Sequence, residues 1–286
     1  MIARCYRRPV NGRDLVDTYL ADLGLEAEPP RLAALAEIVR RHVARYPFAS
    51  IGPRLGDDLP LDPAELLDRI VTRQRGGYCF EQNGLLFSVL EQLGYEVRLQ
   101  MARVLVSGAA HPPLTHRVTR VRVEDVEYVV DVGFGPKGPP YPVPMNDPSH
   151  VPTHHRVVPL DGIGFRMEAR DGEDWAPLYR FDDVPYGQAD AELGHFYSHR
   201  HPEAAFVNNL VASRILDDEV RSLRNREYHV IRAGGSTVEV IDGAQRLHTI
   251  LTDELRIGVS LEEAELLYRD SAPASREAVS RIEDGS

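Results

Sequence analysis

Cysteine is nearly absent. Two occur in 286 residues, Cys5 and Cys79, too few for a disulfide scaffold in a chain of this size and suited to a reducing compartment. No second cysteine stands near Cys79, and Cys5 falls in a terminus expected to be mobile, so no thiolate metal site is expected. Lysine is scarcer still: Lys137 is the only one, every other basic residue being arginine, which leaves no second candidate for a Schiff base. Positive charge is in deficit, with a net charge of −11. That balance argues against nucleic acid or an anionic membrane as partner, because both need a cationic footprint. No apolar run reaches membrane-spanning length, and the start Met1 to Arg8 has no apolar stretch of signal-peptide length behind its arginines, so a cytoplasmic location is expected. Internal repeats are lacking too.

What is present divides by pattern at about residues 94 and 190. Residues 1–94 read as helical. Leu32, Leu35, Ile38, Val39, His42 and Val43 form an amphipathic stripe, and Asp62-Pro63-Ala64-Glu65 is a helix start with a capping side chain and proline at the first helical position. Residues 95–190 read as β, with runs at 97–106, 116–123, 128–134, 165–169 and 175–181, and turns at Glu124-Asp125 and Asp171-Gly172. Prolines and glycines crowd 135–159, which predicts a long loop. Residues 191–286 are mixed: a helix opened by Pro202, strands at 228–232 and 237–241 across Gly234-Gly235, a helix at 261–268, and a small polar tail from Ser271 expected to fray.

The stretch Arg75-Gly76-Gly77-Tyr78-Cys79-Phe80-Glu81-Gln82-Asn83 carries the most chemistry. Leu85, Leu86, Val89, Leu90 and Leu93 follow at helical spacing, with Gly94 where a C-terminal cap belongs. Cys79 therefore opens a helix, where unpaired amides and the helix dipole favour a thiolate and can hold an oxyanion. The plain alternative is a buried cysteine acting as a small hydrophobe.

A nucleophilic cysteine needs a base and a group to orient it. Eleven histidines compete. His116 begins a strand after a proline-rich loop, and Asp131 lies among valines in the next run, where an acid is costly unless paired. A hairpin turning at Glu124-Asp125 makes the two cross-strand neighbours. His111 is the next candidate for the base.

The segment from Arg75 to Asn83, the segment Thr115-His116-Arg117 and the string Asp131-Val132-Gly133-Phe134-Gly135 resemble, in order and spacing, three signature regions of the arylamine N-acetyltransferases. Arg45-Tyr46-Pro47-Phe48, His201-Pro202 with Phe206, and Leu251 to Leu255 with Ile257-Gly258 extend the resemblance over most of the chain. It implies an α+β fold with a helical bundle domain carrying the nucleophile (1–94), a β-barrel domain carrying His and Asp (95–190) and an α/β lid (191–286). It also implies a Cys79-His116-Asp131 triad around a cysteine-protease-like core and ping-pong acetyl transfer from acetyl-CoA to an aromatic amine or hydrazine, without a metal. Gly133, Phe134, Gly135 and Phe206 are the positions where cofactor or a flat acceptor is expected. The chain departs from the family at Ala49-Ser50, where Glu-Asn is usual, and at Ser198-His199-Arg200-His201-Pro202, where Ser-Thr-His-Pro is usual. These departures put acceptor and donor in doubt. An amide synthase of the ansamycin type, taking a polyketide chain from a carrier protein, shares the triad and is the alternative; a cysteine protease and a non-catalytic binding protein fit less well.

Overall fold

The computed structural model describes residues 12–106, 111–145, 154–162, 164–271 and 273. Cys5 and nearly all of the tail beyond Ser271 lie outside the described residues. The helical first part holds α1 (Gly12–Leu23) and α2 (Leu32–Arg45), then β1 (Phe48–Ala49), α3 (Ile51–Leu55), α4 (Pro63–Leu67) and α5 (Cys79–Gln92). In α2 the expected stripe faces inward, Leu35, Ile38, Val39, His42 and Val43 all being buried. Asp62 caps α4 by accepting the Ala64 amide, and the helix runs on through a widened turn at Asp68–Thr72. At the end of α5, Gly94 takes φ 86°. The Gly94 and Tyr95 amides then donate back to Glu91 and Leu90 carbonyls, which terminates the helix at the position its glycine predicts.

The seven-stranded sheet comprises β2 (Glu96–Val104), β3 (His116–Val123), β4 (Val126–Val130), β5 (Val143–Pro144), β6 (His155–Leu160), β7 (Gly164–Asp171) and β8 (Asp174–Phe181). They run in the order β5-β4-β3-β2-β8-β7-β6. The two edges approach each other: Tyr141 bonds His155, whose other ring nitrogen donates to the Lys137 carbonyl. The sheet is thereby nearly closed into a barrel. One face of β3 and β4, with Val121 and Val130, packs on the helices, while Val118 and Val129 on the other join Met167, Leu178 and Tyr179 inside the barrel.

Several boundaries differ from the sequence reading. The stretch 135–159 is not one loop, since β5 and most of β6 fall inside it. Pairing of Val157 and Val158 with β7 makes the strand, and Pro159 is tolerated because β6 is at the sheet edge. The run ending at Phe134 stops being a strand at Val130, because side chains of Asn83 and Asp131 take up the next amides. Pro202 does not open a helix but follows one, α6 (Gln188–Arg200). The residue before proline is pushed to extended backbone, and His201 has φ −69° and ψ 130°.

After α6 come α7 (Ala205–Asn208), β9 (Val211–Ile215), β10 (Glu219–Arg224), β11 (Glu227–Arg232), β12 (Gly235–Val240), α8 (Ala244–Thr249), a widened turn at Ile250–Glu254 and α9 (Leu261–Arg269). The second sheet has the order β1-β9-β10-β11-β12. Its first strand comes from the helical part, Phe48 pairing Ser213 and Ala49 pairing Ala212. That pairing ties the C-terminal sheet to the turn before Cys79, since the Ala49 amide also bonds the Gly77 carbonyl. Among the described residues no helix is long and apolar enough to cross a membrane.

Candidate active site

Cys79 is the first residue of α5, placed there by the glycine turn before it. Gly76 sits at φ 63°, and a Cβ on it would meet the Pro47 carbonyl oxygen at 2.8 Å. The Gly77 carbonyl then accepts the Ala49 amide at 2.8 Å. Tyr78 caps the helix, its amide donating to Glu81 Oε2 at 3.1 Å. The charged residues near Cys79 in sequence are engaged in ion pairs. Arg75 is paired with Glu263 at 2.8 Å, and Glu81 with Arg69 at 2.8 Å. Burial raises the Glu81 carboxyl, with the Arg69 cation opposing.

His116 and Asp131 meet, though not as direct cross-strand opposites. Glu124 and Asp125 have φ 54° and 61°, a two-residue turn with both central residues left-handed, which closes the Val123↔Val126 pair. That register pairs Thr119 with Val130, so Asp131 follows level with Val118, two residues from His116. The even offset keeps both side chains on one face, and His116 Nε2 contacts Asp131 Oδ2 at 2.8 Å. The pair is buried.

The second carboxylate oxygen is also engaged. Asp131 Oδ1 accepts from Asn83 Nδ2 at 2.9 Å and from the Gly133 amide at 3.0 Å. Burial opposes its ionisation, but His116, Asn83 and the Gly133 amide outweigh it and hold the carboxyl below its usual range. For His116, burial likewise opposes charge, while Asp131 and then Cys79 favour it. The balance pushes the imidazole up to about 10. Nε2 being taken by Asp131, any proton exchanged with Cys79 falls to Nδ1. The Cys79 sulfur, 2 % exposed, lies 3.6 Å from the Thr115 carbonyl at the start of β3. His111 is exposed.

Asn83 is the residue that sequence reading left without a role. It binds Asp131, donates to the Arg117 carbonyl at 2.6 Å and accepts the Val132 amide at 3.0 Å. Its signal was available: position i+4 from Cys79 shares a helix face with it. Tyr179 gave no such signal. Its ring lies 4.9 Å from that of His116, and its buried hydroxyl is kept protonated by burial first and by the nearby Asp131 charge second.

The four residues expected to touch cofactor or acceptor all lie around Cys79. Phe134 packs edge-on to His116 at 5.3 Å, and Phe206 packs on Phe48 at 5.7 Å and Tyr78 at 5.1 Å. On Gly135, at φ 93°, a Cβ would meet the Phe48 ring at 3.6 Å. Gly133 is buried against Cys79 itself: a Cβ there would lie 2.7 Å from the Cys79 Cα. Among the described residues no group of three or more His, Cys, Asp and Glu is placed to hold a metal.

Known proteins carry the same fold. Residues 31–264 match the model of the N-acetyltransferase family. An arylamine N-acetyltransferase of Mycobacterium tuberculosis is 37% identical over 235 residues, 78% of this chain and 82% of that relative. Another, of Mycolicibacterium smegmatis, is 35% identical over 252 residues, 85% and 91% of the two chains. The solved structure of Mycobacterium marinum arylamine N-acetyltransferase in complex with CoA superposes with a TM-score of 0.84 at 29% identity, covering 90% of this chain and 100% of that one. Matched in sequence over most of its length and in fold over more, the chain belongs to the arylamine N-acetyltransferase family, and it is an acetyltransferase.

Proposed function

We propose that this enzyme moves the acetyl group of acetyl-CoA to the nitrogen of an arylamine or arylhydrazine, in two half-reactions through a thioester on Cys79. The observation that carries the reading is the convergence of Cys79, His116 and Asp131 at the head of α5. An imidazole pushed up to about 10 is protonated at neutral pH and suits a thiolate partner. The Cys79 thiolate attacks the acetyl carbonyl. The C–S bond to CoA breaks, and the CoA sulfur leaves with the His116 proton. The amine then attacks the new thioester, His116 takes its proton, and the C–S bond to Cys79 breaks to restore the thiolate.

Asp131 orients the ring through Nε2 and stabilises its charge, while Asn83 and the Gly133 amide hold the carboxylate. Amides of the first turn of α5, Cys79's own included, are suited to the oxyanion. Phe134 and Phe206 are suited to flank a flat acceptor, and the 133–138 loop to contact CoA; the relative solved with CoA supports the donor. A cytoplasmic location and a three-part division at residues 94 and 190 belong to the same proposal, with β1 as the segment shared between the first part and the third. Initial rates over a grid of acetyl-CoA and arylamine concentrations test the mechanism. Parallel double-reciprocal lines are expected, and intersecting lines would replace the covalent route with direct transfer in a ternary complex.

A further inference from the structure

A cavity of about 880 Å³ runs along α5 where Gly84, Phe87 and Ser88 face out, and neither Cys79, His116 nor Asp131 is among its walls. Leu61, Leu99 and Phe87 give it apolar walls, and Arg117 lines it together with polar side chains such as Gln188 and Glu192. His116 and Arg117 are consecutive in β3, so their side chains leave on opposite faces, one toward Asp131 and the other toward this cavity.

Arg117 is 3 % exposed and, among the described residues, has no acid within ion-pair distance. Its Nε has no hydrogen-bond partner, and the Phe87 ring lies 5.3 Å from the guanidinium carbon. The other buried arginines are treated differently. Arg69 has Asp57 at 3.1 Å and Glu81 at 2.8 Å, and Arg120 has Glu127 at 2.7 Å. Burial lowers Arg117 to about 10, with the Cys79 charge opposing, so it keeps its charge at neutral pH. The remaining charges of the cavity do not answer it: Asp62 caps α4, Arg98 is paired with Asp183 at 3.0 Å, and Glu192 is exposed.

A buried cation with no ion-pair partner, in the wall of a cavity with apolar sides, is suited to a carboxylate ligand. We propose that this cavity binds a small monocarboxylate with an aromatic or branched apolar body, its carboxylate on Arg117 and its body against Phe87, Leu61 and Leu99. Cys79, His116 and Asp131 are not among its walls, and the tie between the two sites is the Cys79 charge that Arg117 feels.

Calorimetric titration of the full chain with benzoate, and with its neutral isostere benzamide, tests the assignment. Benzoate is expected to bind, benzamide to bind at least about tenfold more weakly, and Arg117→Met to lose at least about tenfold for benzoate, as loss of a charge-assisted bidentate pair requires. Ser88→Phe, which puts a bulky ring beside Phe87 in the cavity wall and leaves Arg117 in place, is expected to weaken benzoate binding while keeping the native circular dichroism. Protein alkylated at Cys79 should bind benzoate at least as tightly, because the Cys79 charge that Arg117 feels is removed. Absence of benzoate binding, equal binding of benzamide, unchanged affinity in folded Ser88→Phe, or loss on alkylation would each overturn the proposal.

Discussion

Gly133 lies so close to Cys79 that a methyl group on its Cα would stand 2.7 Å from the Cys79 Cα and 2.8 Å from Asn83 Nδ2. Both obstacles are fixed, one being helix backbone and the other an amide already bonded to Asp131. The turn after Asp131 is therefore glycine for a reason that involves no ligand: it lets the carboxylate and the thiol approach from different elements.

Gly133→Ala should push α5 away from β4. Overpacking of this kind costs about 1–3 kcal/mol, and displacement of a reacting group by about 1 Å costs roughly 10²-fold in rate. The urea midpoint and kcat measured together check this: a modest loss of stability with a large loss of kcat is expected. A variant with wild-type kcat would show that the contact does not position the thiol.

Asp131→Asn should keep the fold and lower kcat by about 10²–10⁴, the usual range for a positioned acid–base group. Asn83→Ala should act through Asp131 and more mildly. Removing a donor that lowers the Asp131 pKa raises it, so the acidic limb of the kcat profile should move to higher pH. An unmoved limb in Asn83→Ala, with activity lost, would make the residue structural only.

The order of the elements around these residues was readable because it rests on short-range signals. The glycine turn before Cys79, the Gly94 terminator and the Glu124-Asp125 turn each fix local backbone, and β3 begins at His116 as expected. What escaped depends on pairing between distant segments. Strand β9 exists because β1, from the helical part of the chain, lies beside it, and no local pattern distinguishes Val211–Ile215 from a loop. The diagonal offset of His116 and Asp131 follows instead from the two-residue Glu124-Asp125 turn, whose Val123↔Val126 pair sets Asp131 level with Val118.

Two buried histidines give stability a pH dependence of known sign. His42 bridges Tyr19 and Gln82 at 2.7 and 2.8 Å, and His195 bridges Tyr78 and the Leu59 carbonyl. Burial lowers each from 6.5 to about 4, so below pH 6.5 the unfolded chain binds protons that the folded chain refuses, and stability falls as pH drops toward 4. His116 works the other way: its contribution is whole below pH 6.5 and is lost as pH rises through about 10. Replacing His195→Gln should cost stability at pH 7 and progressively less toward pH 4.5, read from urea midpoints at constant ionic strength. A deficit that does not change with pH would contradict burial as the cause.

The central claim is that Cys79 carries the acetyl group between donor and acceptor. Intact mass after brief exposure of the full chain to acetyl-CoA, without acceptor, tests it most directly. The account predicts one acetyl adduct, mapping by peptide digestion to Cys79 and discharged on addition of an arylamine. An adduct on Cys5 alone, undiminished activity in Cys79→Ala, or acylation of Cys79 by a carrier-bound chain but not by acetyl-CoA would contradict it.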